Sequence, residues 1–195
     1  MGHRIVQGPS NFQFTDDPTR TGAVTQPASG SIALKREQFG PVVQLTFTLD
    51  NVSQAIVNGT EYQSTLLYTF PEGRINVLGV TATLQQKTTS ALASTLNASS
   101  TGAIALGTAA ASNVSLTSTM VDLLPSTAFT SSATVNVAGT AVSAALAAAA
   151  QFDGTGTAKP MYLNTAYATT TDVDGNATQT ISGTIRVTYV FLGDY

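Results

Sequence analysis

The sequence predicts an all-β chain: an antiparallel β-sandwich, jelly-roll-like, with an extended N-terminal arm and at most one short Ala-rich helix. Residues 1–28 form the arm and residues 29–195 the sandwich domain. Three observations predict this. Several runs alternate apolar and polar residues with period two, the mark of strands buried on one side. Gly, Pro, Asn and Asp punctuate the chain between those runs. About a quarter of the residues are Ser or Thr, and Thr favours the extended backbone.

The elements follow in order. Over residues 1–28, Gly2, Gly8, Pro9, Pro18, Gly22 and Pro27 break any regular pattern. Apolar residues there are few, chiefly Ile5, Val6, Phe12 and Phe14. This reads as an extended arm held by a neighbouring subunit, or else as an unstructured tail. In "VVQLTFTLD", Val43, Leu45, Phe47 and Leu49 share a face opposite Gln44, Thr46 and Thr48. In "STLLYTFP", Leu66, Tyr68 and Phe70 share a face and Pro71 ends the run. In "GRINVLGVTATLQ", Ile75 and Val77 are in phase, but beyond Gly79 the apolar phase moves to Val80, Ala82 and Leu84. That change predicts a bulge or a strong bend.

Weaker strands are predicted at 102–108, 113–118 and 132–138. "AVSAALAAAAQF", residues 141–152, has high helix propensity, and reads either as a helix of two or three turns or as an Ala-rich loop. "KPMYLNTAYATT" and the last run flank "DVDGNA", where Asp174-Gly175 predicts a hairpin turn. The final run "GTIRVTYVFLGDY" puts Ile185, Val187, Tyr189 and Phe191 on one face, and Thr184, Arg186, Thr188 and Val190 on the other. So long a strand is expected to fill a central place in one sheet, with Thr184, Arg186 and Thr188 outward.

Composition narrows the function. Charged residues make up 10% of the 195, against roughly a quarter in a typical soluble protein. A surface so poor in charge reads as one that faces other subunits, or as a by-product of strand-favouring Thr. The net charge is -3 and the 8 Lys and Arg are scattered, so the basic footprint of a nucleic-acid binder is missing. There is no apolar run long enough for a membrane helix. The start lacks the apolar stretch of a secretory signal, and Val6 stands where a myristoylation motif wants Ser or Thr.

Candidate chemistry is sparse. The chain has 1 His, His3 in the arm, and 0 Cys. A Ser-His-Asp triad and a His/Cys metal site are therefore not expected. Asp172, Asp174 and Asn176 imitate the start of a calcium loop. The glycine comes one place early, at Gly175, and Gly183 stands where the loop needs Glu. A plain turn is the better reading. No phosphate-binding glycine motif occurs. Asn51, Asn58, Asn97, Asn113 and Asn176 head glycosylation triplets, but with no secretory signal they are not expected to be modified. Tyr162 and Tyr167 read as core or interface before they read as a sugar site. Arg74 and Arg186 are candidates to meet carboxylates of a neighbouring subunit, or to point into solvent. No catalytic residue, cofactor or metal is expected.

"KPMYLNTAYA" with "ISGTIRVTYVFLGDY" resembles the C-terminal region of a group of tailed-bacteriophage virion proteins. So do "FPEGRINVLGVTATL" and "ALGTAAASNVSLTSTMVDLLPST". Together these stretches span most of residues 70–195. The resemblance implies a non-enzymatic head decoration or cement protein, commonly trimeric, that binds the major capsid protein on the outer shell. It implies assembly in the bacterial cytoplasm, with no nucleic-acid or membrane partner. Ile5, Phe12, Phe14, Arg186 and Tyr195 are then the expected interface residues. Tail-tube, neck or baseplate parts, and receptor- or glycan-binding modules, are the alternatives.

Overall fold

Period-two burial is the organising feature of the chain. Side chains alternate between a shared interior and two outer faces, and shift phase only where an extra residue is inserted. The computed structural model describes residues 22–88, 101–130, 142–145, 150–167 and 175–193. Eleven strands occur there: β1 (Ala23–Val24), β2 (Ser31–Phe39), β3 (Val42–Ile56), β4 (Tyr62–Thr69), β5 (Gly73–Thr88), β6 (Thr101–Gly107), β7 (Leu124–Thr130), β8 (Val142–Ala145), β9 (Ala150–Gly154), β10 (Pro160–Tyr167) and β11 (Ala177–Gly193). One 3₁₀ turn, Ser118–Met120, accompanies them.

The strands form a five-stranded sheet, β1-β4-β10-β6-β7, and a six-stranded sheet, β2-β3-β11-β5-β8, with β9 also paired to β5. Every pairing is antiparallel. Counting from β3, with β8 and β9 together as the sixth strand, one sheet runs first–eighth–third–sixth and the other second–seventh–fourth–fifth. That is the jelly-roll order. β1 and β2 are additions at one edge of each sheet.

The two sheets enclose a single large core, to which β3, β5, β10 and β11 contribute Phe47, Val77, Leu163 and Tyr189. Phe47 and Tyr68 meet edge-to-face across the sandwich at 5.6 Å, and Phe70 meets Tyr189 at 5.5 Å. Such pairs add specificity beyond the area they bury. Burial pushes the phenols of Tyr68 and Tyr189 above their ordinary range, so both stay protonated in the folded chain.

β11 lies between β3 and β5 for almost its whole length, as its alternation predicts. The phase change at Gly79 is a bulge. Thr188 pairs with Gly79 and Tyr189 with Val77, leaving Leu78 as the extra residue. A second bulge sets Asp50 and Asn51 against Ser182. Asn51 has φ 49, and its N–H donates to Ser182 Oγ at 2.9 Å. The β2–β3 hairpin turns on Gly40-Pro41. Gly40 has φ 61 and proline holds φ near −65°, the pairing a type II′ turn requires.

Several expectations are corrected. A bulge at Leu67 opposite Met161 turns Leu67 and Tyr68 into the core and leaves Leu66 opposite Tyr162, on the outer face. Residues 113–118 are a loop, held by side-chain bonds instead of a ladder. Within the Ala-rich segment, 142–145 and 150–152 are strand, paired to β5. Pairing with a long neighbour overrides helix propensity in these stretches. Asp174-Gly175 does not join a paired hairpin: β10 pairs with β4 and β6, and β11 with β3 and β5, so that connection crosses between sheets. The arm through residue 21 and the strand expected at 132–138 lie outside the described residues.

Candidate functional site

The two outer faces of the sandwich differ, and the difference locates the site. The five-stranded sheet is covered by its own chain. Residues 108–123, between β6 and β7, fold back over it. Thr108 closes the neck of this loop, its N–H and Oγ1 donating to Asp122 Oδ1 and Oδ2 at 2.8 and 2.6 Å. Asn164, buried on β10, donates to the carbonyls of Ala109 at 2.9 Å and Met120 at 2.8 Å. Its Oδ1 accepts from Ser64 Oγ at 2.6 Å, and Ser64 Oγ accepts from the Ala111 N–H at 2.7 Å. Leu116 and Met120 pack on Ala105 and Ala166 beneath, as a small second core.

Beside this loop, along β4, runs an open groove of about 430 Å³. Tyr62, Gln63, Ser64, Thr60 and Tyr162 are among its walls. Gln63 spans from the Ser64 N–H, which its Oε1 accepts at 3.0 Å, to the Ala55 carbonyl, to which its Nε2 donates at 3.0 Å. Its lining is otherwise small, apolar or amide and hydroxyl side chains, with Tyr62 and Tyr162 the titratable groups.

The six-stranded sheet bears no such cover among the described residues. Its outer face is a set of cross-strand rows. Ala33, Thr48, Thr184 and Thr83 form one; Lys35, Thr46, Arg186 and Thr81 the next; Glu37, Gln44, Thr188 and Gly79 the third; Phe39, Val42, Val190 and Asn76 the fourth. Cross-strand partners share a face, so these side chains lie together. Gln44 Nε2 donates to Thr188 Oγ1 at 3.4 Å. Lys35 Nζ meets Glu37 Oε1 at 2.9 Å. Arg186 is exposed at the centre.

The expected interface residues divide as follows. Arg186 is on this face, as its phase predicts. Ile5, Phe12, Phe14 and Tyr195 lie outside the described residues. Arg74 sits 3.8 Å from Asp153 of the same chain, Nε to Oδ2, both exposed. Tyr167 is core, its hydroxyl donating to Gln179 Oε1 at 2.8 Å, while Tyr162 walls the groove. Asp172 and Asp174 lie outside the described residues, and Asn176 Oδ1 accepts the N–H of Asn58, a long-range bond and not a cap on its own turn, at 3.0 Å. Among the described residues no three His, Cys, Asp or Glu side chains gather as a metal site would need.

Sequence reasoning missed the apolar end of the face. Phe39, Leu78 and Leu192 are 64%, 47% and 43% exposed. The signal was present: Val190 and Leu192 continue the outward phase of Thr184, Arg186 and Thr188, so that phase turns apolar at its end.

No protein-family model matches the chain, and no curated protein matches it. Among solved structures it is similar to a chain in the structure of infectious bursal disease virus, Gt strain, at 12% identity and a TM-score of 0.30. The likeness covers 98% of this chain and 38% of that one, so this chain spans well under half of that protein's length.

Proposed function

We propose that this chain is a non-enzymatic structural protein of a tailed-phage virion, which binds the outer surface of the shell and bridges capsomers as a decoration or cement protein. The observation that carries the reading is the outer face of the six-stranded sheet, which no other described residues cover. It is broad, regular and rich in threonine, with a Lys35–Glu37 pair, Arg186 and an apolar border. Such a face suits contact with another protein more than colloidal repulsion. The resemblance of residues 70–195 to tailed-phage virion proteins points the same way, and a chain with one histidine and no cysteine is poorly furnished for catalysis.

The mechanism is physical. Joints between capsomers are small and individually weak. A subunit that touches several at once gains avidity, because each later contact forms at high effective concentration. A trimer, each copy on the major capsid protein, multiplies that gain. A rigid sandwich also loses little conformational entropy on docking.

The test is copy number with removal. Quantitative mass spectrometry of purified particles is expected to find hundreds of copies, and their omission to leave a closed but less heat-resistant shell. A handful of copies, or a ring stoichiometry, would instead assign the chain to the neck or tail.

A further inference from the structure

We propose that the outer face of the six-stranded sheet docks a protein surface that sets a carboxylate against Arg186 and an apolar side chain over Val190. This rests on the reading of the chain as a shell-binding subunit and names the chemistry of the shell surface it meets.

Arg186 is the first part of the argument. It sits mid-strand on β11, flanked by Thr46 on β3 and Thr81 on β5. It is exposed and makes no ion pair or hydrogen bond with the described residues. Of the other cations on the sheet, Lys35 meets Glu37 at 2.9 Å and Arg74 meets Asp153 at 3.8 Å. A guanidinium is weakly hydrated and offers a planar fork to a carboxylate. Its backbone, on a strand paired at both sides, is set in place before any partner arrives.

The apolar border is the second part. Val190 lies four residues along β11, about 13 Å from Arg186 at the usual strand rise. Val42 adjoins it on β3, with Phe39 beyond, and the bulges at Leu78 and Leu192 bring two exposed leucines beside it. Phe39, Leu78 and Leu192 are three of the four large hydrophobic residues most exposed among those described. An apolar cluster beside an unmatched arginine has the make-up of an interface centre.

A second copy of the same face does not fit both parts. The carboxylates available on it are Glu37, held by Lys35, and Asp50 near the far end of β3, which accepts from the Asn51 amide at 2.7 Å. A two-fold contact is self-complementary. One that set Arg186 on the other copy's Asp50 would centre on the row of Thr48 and Thr184, and would leave the Val190 cluster uncovered. One centred on that cluster would leave Arg186 without an acid. A face-to-face second copy is thus ruled out, and the occupant proposed is a different protein surface, acidic at one point and apolar about 13 Å away.

Occupancy on empty heads that lack this protein tests the proposal. The wild type is compared with Arg186→Glu, Arg186→Lys, Val190→Asp and the double change Leu78→Ser with Leu192→Ser. Lys159→Glu, which lies off the face, controls for net charge. Circular dichroism melts confirm that each variant folds. Lys159→Glu is expected to bind as the wild type. Arg186→Glu and Val190→Asp, or the leucine pair if the aspartate does not fold, are expected to bind about tenfold more weakly or worse, with Arg186→Lys between. Wild-type binding with either Arg186→Glu or the apolar variants within twofold of it overturns the docking face and leaves the shell-binding reading standing. A wild type that does not bind at all overturns that reading first. An Arg186→Glu variant that instead breaks a homo-oligomer in sedimentation overturns the assignment to a different protein.

Discussion

Gln54, Thr165 and Gln179 sit in the apolar phase of their strands, yet all three are polar and buried. Together they solve a hydrogen-bond problem. Gln54 Nε2 donates to Thr65 Oγ1 at 3.1 Å and to the Leu163 carbonyl at 3.2 Å. Its Oε1 accepts from Thr165 Oγ1 at 2.7 Å and from Gln179 Nε2 at 3.1 Å. Gln179 Oε1 in turn accepts the Tyr167 hydroxyl. The network ties β3 and β11 of one sheet to β4 and β10 of the other, and does so with direction, which apolar packing lacks. Gln179→Leu keeps the volume but removes the bonds to the Tyr167 hydroxyl, Gln54 Oε1 and Thr165 Oγ1. It is expected to cost about 1–3 kcal/mol, read as a lowered urea midpoint with an unchanged slope. A midpoint equal to the wild type would mean that the network contributes nothing to holding the sheets in register.

At the scale of elements, the loop 108–123 covers part of one outer face, while no described residues cover the other. Asn164 fastens it at two carbonyls. In Asn164→Ala those two bonds are lost, at about 1 kcal/mol each. The opened loop should then be about 30-fold more populated, and limited proteolysis should cut within 108–123 correspondingly faster. Equal cutting rates would show that Leu116 and Met120 hold the loop by packing alone. The same scale explains what could be read from the sequence. The place of β11, the outward Arg186 and the bulge at Gly79 were legible, because strict alternation and its interruption are local signals. β2 was not, since Lys35, Arg36 and Glu37 interrupt its pattern; charge of this kind guards a sheet edge. β7, with Pro125 inside it, reads as a turn for the same reason. The Ala-rich strands are made by pairing with β5, a long-range fact that propensity does not contain. Of the candidate site, the threonine rows and Arg186 were legible. Half of the apolar border could be read from the outward phase of Val190 and Leu192; the rest could not, because Leu78 joins it through a bulge and Phe39 through a hairpin.

At the scale of the whole molecule, among the described residues one side of the sandwich carries its own loop and a groove, and the other presents threonine rows with a cation and an apolar border. A molecule built this way is suited to sitting on something. The most direct measurement is a reconstruction of the intact particle at a resolution that shows side chains. The account predicts this jelly roll on the outside of the shell, with the six-stranded sheet turned toward the capsid lattice and Arg186 against a carboxylate. Density placing the chain in the tail or inside the shell, or on the outer surface with the threonine rows facing solvent, would contradict it.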